Sequence, residues 1–96
     1  MADPSIFITS DVKTVTLAGT QETLVAASTP CNKVILQALA ANGGMIYVGG
    51  SDIAAGEGHE LDARETLTLD IDDAFKVWVD TSNSGDKVSF IILGGN

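Results

Sequence analysis

The sequence predicts a small all-β domain, an antiparallel β-sandwich or barrel of jelly-roll-like type with about seven or eight short strands. Three observations predict this class. Apolar and polar residues alternate with a period of two in several short segments, as strands with one buried face require. Clusters of Gly, Asn, Asp and Ser separate these segments at nearly regular intervals. No segment requires a helix, and 96 residues are expected to form one domain over residues 1–96.

The first strands are predicted near the N-terminus. Residues 5–9 (SIFIT) and 13–18 (KTVTLA) alternate and are rich in β-branched residues, and Asp11 lies in the break between them. Residues 22–26 form a weaker third candidate. Residues 33–39 (KVILQAL) are the first strongly apolar run. Ala, Leu and Gln would also allow a helix there, but the Val-Ile-Leu triplet and the short length favour a strand.

The middle of the chain is predicted to form a hairpin and then a long loop. Asn42-Gly43-Gly44 can adopt the positive φ angles of a tight hairpin turn, and residues 45–48 (MIYV) are predicted to return as the next strand. A polar, glycine-punctuated loop follows over residues 49–59.

Two alternating strands and a closing strand are predicted next. Residues 65–71 (ETLTLDI) place three apolar side chains on one face and polar ones on the other. Residues 75–80 (FKVWVD) place Phe75 with two valines on one face, opposite Trp78. Residues 81–86 read as a hairpin turn, and residues 87–93 (KVSFIIL) as a closing strand long enough to be central.

The chain is strongly acidic, with thirteen Asp and Glu residues against five Lys and Arg, a formal charge of −8. Nine of these carboxylates lie between Asp52 and Asp80, with only Arg64 and Lys76 to offset them. Such a charge repels phosphate, so nucleic acid is not an expected partner. No stretch approaches the ~18 apolar residues of a membrane span, and the N-terminus lacks a secretion signal, so no membrane partner is expected. Cys31 is the only cysteine, which excludes an intrachain disulfide.

Four features invite a chemical interpretation, and each has a plainer one that we favour. Asp70-Ile71-Asp72-Asp73 offers carboxylates for calcium, but lacks the spacing of a calcium loop and is better explained as a solvent-facing strand running into an acidic turn. His59 has no visible partner for metal binding or catalysis. Cys31 is a nucleophile only if paired with His59, and a structural thiol is the simpler interpretation. Gly49-Gly50-Ser51 matches no complete phosphate-binding motif. We therefore predict no catalytic residue, metal site or cofactor.

Trp78 is the one aromatic residue whose placement suggests contact with a ligand or partner. It lies on the polar side of its predicted strand, and Tyr47 joins it if their strands are neighbours. A sugar ring could stack on such a pair, whereas core or interface packing is the interpretation that we prefer, since Trp is enriched at interfaces.

From Val34 onward the order of strands and turns resembles a group of small virion proteins of tailed bacteriophages. The matching segments cover about two-thirds of the chain: Val34 to Ala38, Asn42 to Ser51, Glu60 to Leu61, Thr66 to Asp73, Lys76 to Asp80 and Gly85 to Phe90. Such proteins are β-sandwich or barrel modules that decorate the capsid or form small parts of the head or tail. The resemblance implies binding without catalysis, a homo-oligomer that we expect to be a trimer, and attachment to the major capsid protein or another virion protein. It also implies synthesis in the bacterial cytoplasm and a final location in the virion.

The N-terminal residues, where no resemblance is found, supply the remaining interface prediction. Residues 1–12 form a possible arm, and Ile6, Phe7 and Ile8 are expected to be an attaching or exchanged segment or, equally well, a buried first strand. Tyr47 and Trp78 complete the predicted interface. The alternative function, from a different class, is a carbohydrate-binding or adhesin-like module of a tail fibre or baseplate that uses these two aromatic residues.

Overall fold

The computed structural model describes residues 7–51, 53 and 58–94, with the side chain of Phe7 excepted. It contains two four-stranded antiparallel sheets, which confirms the predicted all-β sandwich. In chain order the elements are β1 (Phe7–Thr14), β2 (Glu22–Thr23), β3 (Lys33–Ala38), β4 (Ile46–Gly49), β5 (His59–Leu61), β6 (Thr66–Asp70), a 3₁₀ turn (Ala74–Lys76), β7 (Trp78–Thr81) and β8 (Lys87–Gly94).

The strands divide between two sheets. Sheet A has the order β1-β8-β3-β6, and sheet B has the order β2-β7-β4-β5. The predicted closing strand is therefore central in sheet A, with β1 on one side and β3 on the other. No helix in the described residues is long and apolar enough to cross a membrane.

The core lies between the inner faces of the two sheets. In β8, Val88, Phe90 and Ile92 are buried while the residues between them are more exposed, so the period of two predicted for this strand is present. Leu36 of β3 lies directly opposite Phe90. Each fully buried apolar side chain of this kind contributes roughly 1.5–3 kcal/mol relative to the exposed state. The largest fully buried apolar side chains are Val15, Val34, Leu36, Ile46, Leu61, Val77, Val79, Val88 and Ile92.

The two predicted hairpins, at residues 42–44 and 81–86, are wrong. Each of these turns carries the chain from one sheet to the other, because β3 and β8 belong to sheet A whereas β4 and β7 belong to sheet B. The positive φ values expected at Gly43 and Gly44 are not among those found in the described residues. Turn residues predict where the chain reverses, but they do not determine which strand it pairs with next.

The buried carboxylate of Asp86 ties the two crossovers together. Its Oδ1 accepts hydrogen bonds from the Gly43 N–H at 2.9 Å and from the Asn83 side chain at 2.9 Å. Its Oδ2 accepts from the Gly44 N–H at 2.8 Å and from the Thr81 hydroxyl at 3.2 Å. Burial raises the pKa of Asp86, but these hydrogen bonds outweigh it, and the net pKa lies below its ordinary value.

Three smaller predictions also need correction. The break at Asp11 is absent, because Asp11 lies within β1 opposite Phe90. Phe75 was expected on the core face but lies in the 3₁₀ turn and is 41% exposed. Asp73 causes this, since its carboxylate accepts from the Phe75 N–H and caps the turn. The three-residue strand β5 was not predicted, because His59 was expected to lie in a loop and no strand was expected at residues 60–61.

We expect Asp86→Asn to lower the free energy of unfolding by about 1–3 kcal/mol at pH 7, because an amide cannot accept hydrogen bonds at both terminal atoms. The lowered native pKa means that the carboxylate stabilises the fold above the unfolded value of about 3.9 and loses this effect as the pH falls through the native value. The difference between the two proteins in urea unfolding should therefore shrink in acid. Exposed Asp62→Asn is the matched control, and a difference that stays constant into acid would contradict the assignment.

Candidate interaction surface

The outward side of sheet A presents an apolar surface to solvent. Alternation and strand register place the following residues on it, and we call this surface the sheet A outer face: Ile8, Ser10, Val12, Thr14, Lys33, Ile35, Gln37, Thr66, Thr68, Asp70, Lys87, Ser89, Ile91 and Leu93. Its apolar members come from β1, β8 and β3, and they are neighbours across strands, with Ile8 opposite Leu93 and Ile35 opposite Ile91.

Large exposed apolar side chains concentrate on this face. Of the five found in the described residues, Ile8 (71% exposed), Val12 (47%) and Ile91 (39%) lie on it, while Leu17 (58%) and Phe75 (41%) lie elsewhere. A shallow depression of about 390 Å³ opens beside Val12 and Ile91. Clustered exposed apolar residues of this kind mark interaction surfaces, whereas single ones do not.

The charged residues of the sheet A outer face lie at its two ends. Lys33 and Asp70 form an ion pair of 3.7 Å at one end, and Lys87 lies at the other. The centre of the face, around Ser10, Ile35 and Ile91, is uncharged.

Three of the four edge strands are less suited to association than this face. On β1, Asp11 and Lys13 point toward the inner side, and Lys13 forms an ion pair of 2.8 Å with Glu22. Inward-pointing charges on an edge strand oppose pairing with another strand. The edge strands of sheet B have only two and three residues, which also discourages strand addition.

The acidic cluster at residues 70–73 is held by donors from the protein itself. Asp72 forms an ion pair of 2.8 Å with Lys76, and the side chain of Asp73 accepts from the Thr29 N–H at 2.7 Å and from the Phe75 N–H at 2.9 Å. A hydrogen bond from the Ser28 hydroxyl and those two N–H groups hold the pKa of Asp73 below its ordinary value. Within the described ranges, no group of three or more acidic, His or Cys side chains is placed to bind a metal ion.

Cys31 and His59 lie in different environments. The thiol is buried, as expected for a structural cysteine, and donates a hydrogen bond to the Ile71 carbonyl at 3.3 Å. Burial, followed by the nearby charge of Asp73, raises the pKa of Cys31. His59 is exposed on edge strand β5 of sheet B, opposite Val48.

The two predicted interface aromatics lie on the outward side of sheet B, on neighbouring strands. Trp78 is half-buried, and Tyr47 is only 7% exposed. The segment before β2 lies over this side of the sheet, since the Gly19 N–H donates to buried Asp80 at 3.0 Å, and Asp80 is directly opposite Tyr47. Tyr47 therefore offers little ring surface for a ligand.

The structure does not bring the predicted interface residues together. Ile8 lies on the sheet A outer face, whereas Tyr47 and Trp78 lie on sheet B, and Ile6 and the side chain of Phe7 fall outside the described residues. The prediction missed Val12 and Ile91 as surface residues. The signal that could have found Ile91 is the continuous run Phe90-Ile91-Ile92-Leu93, because a strand that is apolar in both phases presents apolar side chains on both faces.

Neither a scan against protein-family models nor a search of curated proteins finds a match for this chain.

We expect Asp73→Ala to lower the melting temperature by several degrees, because it leaves two backbone N–H groups and the 3₁₀ turn without their acceptor. Asp72→Ala is the matched control, since its ion pair with Lys76 is exposed and such pairs add little stability. Thermal melts followed by circular dichroism would compare the two. Equal losses would show that Asp73 does not organise this turn.

We expect the Cys31 thiol to react with an aromatic disulfide reagent at least ten times more slowly in the native protein than in urea, because a buried thiol with a raised pKa forms little thiolate. Absorbance of the released thiolate at neutral pH measures the rate. Native and unfolded rates of similar size would contradict the burial of this side chain.

Proposed function

We propose that this chain is a non-enzymatic structural protein of a tailed bacteriophage, a capsid decoration or stabilising protein that forms a homo-oligomer and binds the capsid lattice. The observation that supports it best is the sheet A outer face, which carries three exposed large apolar side chains on one surface of a 96-residue chain. The proposal rests also on the resemblance to small phage virion proteins.

A sandwich of this kind suits a binding role on physical grounds. A sheet face is broad and fairly rigid, because every strand is held by its neighbours, and a second layer can pack on it at about 10 Å. A charge of −8 keeps the free protein soluble before assembly. The proposed assembly is a trimer whose partner in the virion is the major capsid protein or another virion protein. Binding to the assembled lattice would stabilise the lattice by mass action.

The alternative of a carbohydrate-binding or adhesin-like module gains no support from the aromatic pair. A sugar platform needs an accessible ring face, and Tyr47 is almost fully buried. The half-buried Trp78 alone would have to supply the stacking surface.

The test is binding to capsid shells of the phage that encodes the chain, assembled without it. We expect co-sedimentation at a fixed ratio to the major capsid protein, with saturation at micromolar concentration, and a rise in the temperature at which the shells disrupt. Shells that already carry the protein are the control and should bind none. Absence of saturable binding to bare shells would refute a capsid role, and specific binding to a glycan array, lost in Trp78→Ala, would favour the adhesin alternative.

A further inference from the structure

We propose that the sheet A outer face is the surface through which copies of this chain associate, so that in the proposed trimer the face of each copy packs against the faces of the other copies. This inference rests on the proposed function and deepens it, because it assigns self-association to one surface and leaves the rest of the molecule for the lattice.

Charge selects a second copy as the occupant. With a charge of −8, two copies repel each other wherever their acidic surfaces meet. On the sheet A outer face the described charges are Lys33, Lys87 and Asp70, and Asp70 already faces Lys33. Asp11 also lines the depression, where its carboxylate accepts a hydrogen bond from the Val12 N–H at 2.8 Å. Two copies that meet here therefore bring few carboxylates together. A basic partner would gain no attraction from this face and would be drawn to the acidic segments instead.

Shape points the same way, because the face carries both a strongly exposed apolar side chain and a recess. Ile8, the most exposed large apolar side chain described, lies near the Lys33 end. The depression of about 390 Å³ lies farther along the same face, between Val12 and Gln37. A contact between identical surfaces needs such self-complementarity, since each copy must supply both parts. Ile8 of one copy entering the depression of another would bury apolar surface on both sides.

Association through the edge strands β1, β2 or β5 is less favourable. Pairing through β1 would require Asp11 and Lys13 to be accommodated beside a new strand, and the edge strands of sheet B are too short to build a continuous ladder. Leu17 and Phe75, the exposed apolar side chains elsewhere, are isolated from this face and serve as controls.

The experiment is multi-angle light scattering of the full chain at about 50 µM in 150 mM salt, where surface charges are largely screened beyond about 8 Å. The wild type should have about three times the 9.9 kDa mass of one chain, as the proposed trimer requires. Ile91→Lys and Val12→Lys should reduce it to the monomer mass, because each places a lysine at the depression that every contact covers. Leu17→Lys and Phe75→Lys should keep the wild-type mass. All four variants make the net charge less negative, so dissociation cannot come from greater overall repulsion.

Circular dichroism melts establish that each variant is folded. Ile91→Ser is a milder variant that removes the apolar group without adding charge, and we expect it to raise the dissociation constant about tenfold or more. A wild type that is monomeric, variants on the face that keep the wild-type mass, or control variants that dissociate equally would each overturn the inference.

Shell binding measured in parallel separates this inference from the proposed function. Oligomers that dissociate in Ile91→Lys but do not bind shells would sustain the inference and refute the capsid role. A monomeric wild type whose shell binding is lost in Ile91→Lys would assign the face to the lattice and overturn the inference while the capsid role stands.

Discussion

The position of β8 within sheet A is the constraint on which the rest of the structure depends. This strand pairs with β1 on one side and with β3 on the other, and its side chains at 88, 90 and 92 form the middle of the core. A shift of one residue in the pairing of β8 with its neighbours would exchange the two faces of the strand and expose those side chains. Hydrophobicity alone resists such a shift weakly, because Ile91 and Leu93 in the opposite phase are apolar as well.

Polar contacts at the start of β8 supply the missing register information. The Lys87 N–H donates to the Asn42 side chain at 2.8 Å, and the Asn42 amide donates back to the Lys87 carbonyl at 2.7 Å. The adjacent Asp86 carboxylate binds the N–H groups of Gly43 and Gly44. These bonds hold the start of β8 against the loop that leaves β3. They therefore also fix the two points at which the chain crosses between the sheets. One polar cluster therefore fixes both register and topology.

The difference between local sequence patterns and long-range polar contacts explains which parts of the fold could be predicted from the sequence. The strand over residues 33–39 and the alternation of Leu67 and Leu69 with threonine are local properties, readable from period and composition. The crossovers at 42–44 and 81–86 were read as hairpins because their Gly, Asn and Ser residues are the same ones that hairpins use. What distinguishes them is Asp86, whose acceptors serve residues more than forty positions earlier in the chain. No local sequence pattern indicates a contact over such a distance in the chain.

The candidate surface was only partly predictable for a related reason. Ile8 was expected at an interface or, equally well, in a buried first strand, because it belongs to an apolar run near a terminus. Tyr47 and Trp78 were expected at an interface from the face of the Trp78 strand and the adjacency of their strands, and they lie on the other sheet. Val12 and Ile91 become neighbours of Ile8 on one face only once β1 pairs with β8 in its observed register. A surface that several strands build jointly exists only after pairing, so a single strand can indicate that it has two apolar faces but not what lies beside them.

The negative charge of the chain and the apolar sheet A outer face have opposite effects on association between copies. A chain of 96 residues has a modest core, so the proposed contact between copies would add stability by burying further apolar surface. An exposed apolar face also invites non-specific association, which a strongly negative remainder of the surface opposes because wrongly oriented copies repel each other. In the proposed assembly, contact through the sheet A outer face carries little electrostatic cost, because its described charges are Lys33, Lys87 and Asp70. The aspartates at residues 70–73, which were considered as calcium ligands, have partners within the chain: Asp70 pairs with Lys33, Asp72 pairs with Lys76, and Asp73 caps the 3₁₀ turn. The role that we propose for the remaining negative charge is to restrict association to the sheet A outer face.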